Sequence, residues 1–255
     1  MALELITIPC LSDNYAFLIH NGETNETSLV DAPEAGPVIS VLESMGWRLN
    51  ALLLTHHHHD HIDGADELRA KYNCMVIGAA ADAHRLPPLD MQVKDGDVIT
   101  VCGQSCSIFD VSGHTIGHIA FHFPNDNLVF TADSLMAFGC GRLFEGSPMQ
   151  MWQSLSKLIV LPPETLVFSG HEYTASNAKF AQTVDPDNAA LKARVKDIAV
   201  LRQSGKPTVP SLLSLELETN PFLRATDPVL RAGLQMENAP DWEVFAEIRR
   251  RKDAF

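Results

Sequence analysis

The run Thr55-His56-His57-His58-His59-Asp60-His61 constrains this chain more than any other feature of its sequence. It directly follows an apolar segment, 51–54, that has the pattern of a buried strand, and it precedes a predicted helix. Loops that leave the ends of strands are where functional sites are commonly built. A purification tag would lie at a terminus and would not end in Asp-His before an Ile-Asp-Gly turn. The run therefore predicts a metal site on a loop between a strand and a helix.

The residue types within this run indicate how it binds metal. Neutral imidazole and carboxylate groups are ligands that divalent Zn, Fe and Mn accept. In an extended loop, residues two apart point the same way, so His56 and His58 are predicted to reach one ion. Asp60 and His61 are predicted to turn toward a second ion. For His57 and His59, packing or hydrogen bonding outside the ligand set is favoured over ligation.

Three further ligand candidates lie downstream, each just past a predicted strand. They are His114 in Gly-His-Thr, Asp133 in Phe-Thr-Ala-Asp-Ser, and His171 in Gly-His-Glu. A small neighbouring residue lets the backbone and a metal approach closely. One ion of this type takes three or four protein ligands, so seven candidates exceed the needs of a single ion. We therefore expect two metal ions per chain.

Short apolar runs separated by turn signals predict a sheet-rich first part and a helical remainder. The predicted strands are 3–8, 16–19, 28–30, 51–54, 75–77, 98–101, 107–111, 119–123, 128–131 and 166–169, and the predicted helices are 36–45, 66–72, 149–159, 175–184, 188–203 and 242–251. Prolines at 207, 210, 221 and 228 are interpreted as breaks. These patterns predict a sheet sandwich flanked by helices over 1–172 and a small helical domain over 173–255.

The distribution of charged residues along the chain indicates which classes of partner are favoured. Residues 1–180 carry 8 basic and 21 acidic side chains, whereas residues 181–255 carry 11 of each, and the net charge is −13. An acidic front half disfavours a nucleic-acid partner and suits a protein that binds cations.

The cysteines and the apolar runs of the sequence predict the cellular compartment of the protein. The five cysteines are odd in number and contain no Cys-x-x-Cys pair, which argues against a disulfide framework. Metal binding by Cys102 and Cys106 is disfavoured because no second Cys or His pair lies nearby. No apolar run reaches the roughly 18 residues of a membrane span, and residues 1–9 lack the features of a secretion signal. We expect a cytoplasmic protein with no membrane partner.

The order of the metal candidates resembles the motif set of the metallo-β-lactamase superfamily, whose fold is an αββα sandwich. The resemblance implies that one ion is bound by His56, His58 and His114, the other by Asp60, His61 and His171, with Asp133 bridging both. It also implies Zn²⁺ as the commonest metal, with Fe or Mn as alternatives. Asp31 would brace the His-rich loop from outside the ligand set, unless it is an ordinary turn residue before Pro33.

Finer signatures resemble the glyoxalase II, or hydroxyacylglutathione hydrolase, family over nearly the whole chain. They are Ser12-Asp13-Asn14-Tyr15, Gly139-Cys140-Gly141-Arg142, Gly170-His171-Glu172-Tyr173, Asn220-Pro221-Phe222-Leu223-Arg224 and Arg249-Arg250-Arg251-Lys252-Asp253. The resemblance implies hydrolysis of S-lactoylglutathione to D-lactate and glutathione, the second step of methylglyoxal detoxification, by a monomeric enzyme. A bridging hydroxide between the two ions would attack the thioester, with Asp60 and Asp133 positioning the metals and the hydroxide.

The same resemblance implies a glutathione site made of Arg142, Tyr173, Arg249 and Lys252. Glutathione has two carboxylates, which Arg and Lys pair with well. A solvated helix end is the alternative explanation for the basic run near the carboxyl terminus. The chain has Phe144 where many family members have Tyr, and Arg142 where they have Lys. Loss of that hydroxyl is expected to cost on the order of 1 kcal/mol of affinity.

Other functions remain as alternatives. Class B β-lactamases commonly have Cys at the second metal site and are exported, which disfavours them. A lactonase would not need Arg249 or Lys252. A glutathione persulfide dioxygenase would resemble a one-metal site and lack this carboxyl-terminal pattern. A non-catalytic metal or nucleic-acid binder is the least favoured, because the acidic front half repels phosphate and an open metal site implies chemistry.

Overall fold

The computed structural model describes residues 3–255, which divide into two compact units. Unit 1 contains the described residues up to Asp110 together with Ile116–Thr131, and unit 2 contains Val111–Thr115 and Ala132–Phe255. None of the helices within residues 3–255 is long and apolar enough to cross a membrane. The predicted absence of a secretion signal in residues 1–9 falls partly on residues 1 and 2, which lie outside the described residues.

Unit 1 is built mainly of strands. They are β1 (Glu4–Cys10), β2 (Asn14–Asn21), β3 (Glu26–Val30), β4 (Leu49–Leu53), β5 (Met75–Ala79), β6 (Met91–Val93), β7 (Val98–Val101), β8 (Gln104–Asp110), β9 (Ile119–Phe123) and β10 (Leu128–Ala132). Strands β1 to β6 form one sheet in that order, antiparallel from β1 to β3 and parallel from β3 to β6. Strands β7 to β10 pair successively and antiparallel.

The helices of unit 1 connect the parallel strands. They are α1 (Ala35–Met45), α2 (His59–Ile62) and α3 (Ala65–Tyr72), with a 3₁₀ turn at Ala80–Asp82. The buried side chains of Val38 on α1 and Leu68 on α3 share one apolar core with Leu29 and Leu52 of the sheet. Strands β3 and β4 are parallel neighbours joined by a helical crossover. Their carboxyl ends therefore lie at the same edge of the sheet. The residues after β3 and the His-rich loop after β4 therefore start side by side.

Unit 2 is mostly helical. Its helices are α4 (Pro148–Ile159), α5 (Thr174–Val184), α6 (Ala189–Gln203), α7 (Leu213–Thr219), α8 (Pro228–Leu234) and α9 (Asp241–Asp253). Its strands are β11 (Leu135–Met136), β12 (Gly139–Cys140), β13 (Leu166–Ser169) and β14 (Ser211–Leu212). Strands β11 and β12 pair as a hairpin, and β13 pairs with β14. Buried side chains of α5 and α6 pack around Phe138 at the tip of the hairpin.

The strands and helices predicted from the sequence are all present, with ends shifted by no more than 3 residues. The short elements α2, α7, α8, β6, β11, β12 and β14 were not predicted, because seven residues or fewer carry little periodicity. The interpretation of Pro228 as a break is wrong. Pro228 begins α8, and the Asp227 side chain caps it by accepting hydrogen bonds from the backbone N–H groups of Val229 and Leu230 at 2.9 and 3.0 Å. Proline suits this first position because its missing N–H would have no helical partner there.

The cysteines behave as predicted. All five are free and buried, and burial raises the pKa of the Cys102 and Cys106 thiols to about 11 and about 12. The predicted domain boundary at residue 172 stays a prediction. It separates a strand-rich part of the sequence from a helix-rich part, whereas the two compact units are divided at other residues.

Candidate functional site

The His-rich loop leaves β4 extended and enters α2 at His59. His56 is buried, with Nδ1 lying 3.0 Å from Oγ1 of Thr55. Its Nε2 lies 3.2 Å from Nδ1 of His58, so the two rings turn ring nitrogens toward one point. This is the arrangement expected when alternate residues of an extended segment face the same side.

Asp31 holds the start and the end of this loop. It follows β3 in a left-handed conformation with φ 56°, which Asp tolerates better than most residues. Its carboxylate accepts hydrogen bonds from the Thr55 N–H at 2.9 Å and the Thr55 hydroxyl at 2.8 Å. It also accepts one from Nδ1 of His61 at 2.8 Å. With its proton on Nδ1, His61 has the lone pair on Nε2, the tautomer that ligates a metal through Nε2.

Asn14 orients the other acidic residue of the loop. Its Nδ2 donates to Oδ2 of Asp60 at 3.0 Å and to the Asp60 carbonyl oxygen at 2.9 Å. Asn14 is itself buried at the start of β2. The sequence placed Asn14 in a family signature without assigning it a role, and the structure shows that it holds the Asp60 carboxylate.

The remaining histidines of the loop make hydrogen bonds of the kind predicted for them. Nδ1 of His57 lies 2.9 Å from the buried carboxylate of Asp82, and His59 is 92% exposed with Nδ1 3.1 Å from Asp63. His118, which the sequence analysis did not single out, is fully buried with its ring centroid 4.5 Å from that of His56. A signal for it was available in the sequence, because His118 follows a glycine just as two of the predicted ligands do, and the pair Gly117-His118 directly precedes β9.

In unit 2, two histidines converge on one carboxylate. Nε2 of His114 lies 3.5 Å from Oδ2 of Asp133, and Nε2 of His171 lies 3.3 Å from the same oxygen. Nδ1 of His114 donates to the carbonyl oxygen of Arg142 at 2.8 Å, so Nε2 has the lone pair. All three side chains are buried. Two imidazole nitrogens turned toward one carboxylate oxygen are an arrangement that a shared cation would stabilise.

The backbone around Asp133 is tightly packed. Ala132 precedes it with φ 43°, an uncommon conformation for a residue with a side chain. A Cβ atom on Gly141 would lie 2.0 Å from the Asp133 carbonyl oxygen and 2.8 Å from Nδ1 of His114. Only glycine fits there, so the end of the β11–β12 hairpin lies directly against two ligand candidates.

Three predicted substrate residues expose part of their side chains in unit 2. Phe144 is 61% exposed, and its ring centroid lies 5.3 Å from that of His114. Tyr173 is partly exposed and stacks on His171 at 4.6 Å with an angle of 6° between the rings. The exposed Arg142 guanidinium lies 3.5 Å from Asp253 at the end of α9. Each of the three therefore contacts a ligand candidate or the end of α9.

The two basic residues predicted on α9 are partly or fully withdrawn from solvent. Arg249 is only 6% exposed and donates to the Cys140 carbonyl oxygen at 3.0 Å, so a solvated helix end is the wrong explanation for this residue. Nζ of Lys252 lies 5.2 Å from the ring centroids of both Phe180 and Phe255. Burial lowers the pKa of Lys252 below its ordinary value, and the charge of Arg249 lowers it further.

The residues present fit a pair of divalent ions. The candidate ligands are His56, His58, Asp60 and His61 in unit 1, and His114, Asp133 and His171 in unit 2. Five imidazoles and two carboxylates are a donor set suited to Zn, Fe or Mn. The Nδ1 protons of His61 and His114 are already held by protein oxygens, as is usual for histidines that ligate metal.

Comparison with known proteins gives matches over the whole chain. Residues 12–171 match the model of the metallo-beta-lactamase superfamily, and residues 172–255 match the model of the hydroxyacylglutathione hydrolase C-terminus. The chain is 62% identical to a hydroxyacylglutathione hydrolase of Ruegeria pomeroyi and 61% identical to one of Cereibacter sphaeroides. Each comparison covers 255 residues, which is 100% of both chains.

Solved structures match in fold. The crystal structure of ETHE1 from Myxococcus xanthus has a TM-score of 0.66 and 22% identity, with 100% of both chains covered. The BLEG-1 B3 metallo-beta-lactamase also has a TM-score of 0.66 and 22% identity, covering 86% of this chain and 99% of its own. Together with the match to the superfamily model, these structures confirm the predicted fold class, an α+β metallo-β-lactamase fold with a helical carboxyl-terminal region.

Proposed function

Because the chain belongs to the hydroxyacylglutathione hydrolase family of the metallo-β-lactamase superfamily, we propose that a two-metal site activates water for the hydrolysis of S-lactoylglutathione. The chain is a thioester hydrolase that converts an S-(2-hydroxyacyl)glutathione and water to a 2-hydroxy acid and glutathione. The observation that carries this conclusion is the full-length match to the family, which includes the match of residues 172–255 to the model of the hydroxyacylglutathione hydrolase C-terminus.

We assign His56, His58 and His114 to one ion and Asp60, His61 and His171 to the other, and Asp133 would supply oxygen ligands to both. Within unit 1, Nε2 of His56 and Nδ1 of His58 lie 3.2 Å apart, which supports these two residues as ligands of one ion. Within unit 2, the buried carboxylate of Asp133 lies beside two proposed ligands that are assigned to different ions, and this supports a role for Asp133 in holding both ions. The Nε2 atoms of His114 and His171, both turned toward Asp133, support it as well.

Two divalent ions, when bound, supply Lewis acidity that lowers the pKa of water and polarises the thioester carbonyl. The side chains of this protein prepare that chemistry. Asp31 fixes the proton of His61 on Nδ1, and the Arg142 carbonyl does the same for His114. Asn14 holds the Asp60 carboxylate in one orientation. Glutathione leaves as a thiolate, which is stable enough near neutral pH that no protein acid has to protonate it.

We propose that residues 1–172 bind the metals and that residues 173–255 contribute most of the glutathione site. Lys252 supports this assignment, because a half-buried ammonium group pairs more strongly with a carboxylate than a fully hydrated one does. Tyr173 presents a partly exposed ring beside the ligand candidate His171, where it could contact the glutathione peptide. Phe144 presents an exposed ring beside His114, and the exposed Arg142 lies beside Asp253 at the end of α9.

Zn²⁺ is the proposed metal, although Fe and Mn suit the same donors. A monomeric cytoplasmic enzyme that acts on the product of methylglyoxal and glutathione is the biological role that fits this chemistry. The identity of the metal, the oligomeric state and the location in the cell do not change the type of reaction that we propose.

The function is tested by assaying S-lactoylglutathione hydrolysis with protein whose metal content has been measured. Parallel assays with a lactone, a β-lactam and glutathione persulfide, the last followed by oxygen consumption, cover the other activities of this fold. We expect turnover of the thioester to rise with metal content and to exceed turnover of the other substrates. Faster oxygen consumption with the persulfide, or faster lactone hydrolysis, would refute the proposal.

A further inference from the structure

The signature Asn220-Pro221-Phe222-Leu223-Arg224 has no part in the chemistry described above, yet its first residue contacts the β11–β12 hairpin on both sides of its turn. Asn220 is fully buried, and its Nδ2 donates to the carbonyl oxygens of Met136 and Gly139, each at 3.0 Å. Its Oδ1 accepts a hydrogen bond from the Phe222 N–H at 3.1 Å, which settles the orientation of the amide. One side chain therefore ties both strands of the hairpin to the segment that follows α7.

A second buried side chain holds the tip of the same hairpin. Glu216 on α7 is fully buried, and its Oε2 accepts hydrogen bonds from the Phe138 N–H at 2.9 Å and from Nδ2 of Asn220 at 3.1 Å. Its Oε1 accepts one from Ser211 at 2.7 Å and pairs with Arg194. A buried carboxylate is stable only with partners of this kind.

The conformation of the tip requires such a hold. Phe138 has φ 56°, which bulky side chains rarely adopt. Asn177 on α5 adds a further bond by donating from Nδ2 to the Ala137 carbonyl oxygen at 3.2 Å. The hairpin is therefore fixed by buried amide and carboxylate groups of the helical region, in addition to its own two-residue strands.

Both ends of the hairpin touch ligand candidates. Asp133 lies two residues before β11, and Gly141 immediately after β12 packs against the Asp133 carbonyl oxygen with no room for a Cβ atom. The carbonyl oxygen of the next residue, Arg142, accepts a hydrogen bond from Nδ1–H of His114. A shift of the hairpin would therefore move the groups that orient Asp133 and His114.

From this chain of contacts, we propose that Asn220 and Glu216 are positioning residues for the metal site. They hold the hairpin so that Asp133 and His114 keep the orientation in which they bind metal, which makes the helical region necessary for metal affinity as well as for glutathione binding. The inference rests on the proposed two-metal function. It assigns a purpose to a signature whose first residue, Asn220, lies 84 and 81 positions from the two carbonyl groups that it binds.

The test compares Asn220→Asp with a matched control, Asn188→Ala. Asn220→Asp keeps the size of the side chain but turns a carboxylate oxygen toward three acceptor oxygens. Asn188 also lies in the helical region, where it caps α6 through a bond to the Leu191 N–H, and it does not touch the hairpin. We expect both variants to lose stability. A difference in Zn²⁺ affinity between them therefore reports the positioning role and not a general loss of stability.

The readouts are Zn²⁺ affinity measured against a competing chelator, steady-state kinetics with S-lactoylglutathione, and thermal unfolding of the zinc-free proteins. Changing a group that orients metal ligands costs about 10-fold or more in metal affinity. We expect that loss in Asn220→Asp, together with a fall in kcat that exceeds the change in KM. Asn188→Ala should keep the Zn²⁺ affinity and the kcat of the parent protein.

Equal Zn²⁺ affinity in both variants would overturn the inference. If the parent protein itself bound no Zn²⁺, Fe or Mn, the proposed function would fail instead, so the two failures are distinguishable. If Asn220→Asp does not fold, Asn220→Ala and Glu216→Gln replace it, because each removes part of the hold without adding a charge. Zn²⁺ affinity in these variants equal to that of Asn188→Ala would count against the inference in the same way.

Discussion

Arg249 on α9 donates a hydrogen bond of 3.0 Å to the carbonyl oxygen of Cys140, 109 residues earlier in the chain. The guanidinium also pairs with Asp253 at 2.8 Å and lies 5.2 Å from the ring centroid of Phe222. Its Nε is buried and makes no hydrogen bond to any residue within 3–255. Arg249 therefore has a structural role in holding the end of the hairpin, and the contact with a glutathione carboxylate that we propose for it would be a second role.

Arg249→Ala is expected to lower the free energy of unfolding as well as raise KM for S-lactoylglutathione. Removing the guanidinium leaves the Cys140 carbonyl without its donor, which costs about 1–3 kcal/mol. Urea denaturation measures the first effect and steady-state kinetics the second. A variant with parental stability would contradict the structural part. Unchanged KM in a folded variant would contradict the binding part.

Lys252→Ala is expected to raise KM for S-lactoylglutathione while leaving kcat nearly unchanged, because it removes binding shared by the ground and transition states. A small thioester without the glutathione carboxylates serves as the control substrate and should be unaffected. The lowered pKa of Lys252 adds a test in pH. Its positive charge is present at neutral pH and is lost as the pH rises through a value below that of free lysine. KM should therefore rise at alkaline pH in the parent protein and less so in Lys252→Arg. Equal effects on both substrates would exclude glutathione recognition by this residue.

Asp133→Ala is expected to lose metal and turnover together, because a bridging carboxylate serves both ions. Elemental analysis of the metal-replete parent protein should give two ions per chain, and the variant should retain fewer. The matched control is Asp126→Ala, an aspartate of unit 1 that the proposed site does not use. Full activity in Asp133→Ala, or a single ion in the parent protein, would refute the dinuclear assignment.

Asp31→Ala is expected to weaken Zn²⁺ binding by about 10-fold or more, since the carboxylate fixes the tautomer of His61 and both ends of the His-rich loop. Competition with a chelator measures the change. If Asp31 were only a turn residue before Pro33, the variant would lose stability but keep its Zn²⁺ affinity, and Asp31→Asn would behave like the parent protein in both respects.

Phe144→Tyr is expected to lower KM for S-lactoylglutathione. The ring is exposed beside His114, and a hydroxyl there restores the hydrogen-bonding group that many family members have. One added hydrogen bond is worth about 1 kcal/mol, or roughly a 5-fold change in KM. Phe144→Leu is the matched variant, because it removes the ring and adds no donor. An unchanged KM in Phe144→Tyr, or an equal improvement in both variants, would contradict a specific role for the hydroxyl.

The candidate ligands of the proposed site could be predicted from the sequence because the chemistry of a metal ligand depends on residue type. The alternation of His56 and His58, the pairing of Asp60 with His61, and the small residues beside His114 and His171 are local patterns. Apolar periodicity likewise predicts the strands and helices, since each element buries one face. Family signatures extended this to the reaction, because they span both regions of the chain.

Only the tertiary structure decided which residues orient those ligands. Asp31 reaches Thr55 and His61 because β3 and β4 are parallel neighbours, although 24 and 30 residues separate the partners. Arg249 is buried rather than solvated, and its guanidinium donates a hydrogen bond to the carbonyl oxygen of Cys140 in the hairpin. Asn220 and Glu216 bind a hairpin some 80 residues away. Contacts at such separations depend on how the chain packs, and they leave no periodic or local pattern in the sequence. The donor types are therefore legible in the sequence, whereas the groups that hold them in place are visible only in the folded chain.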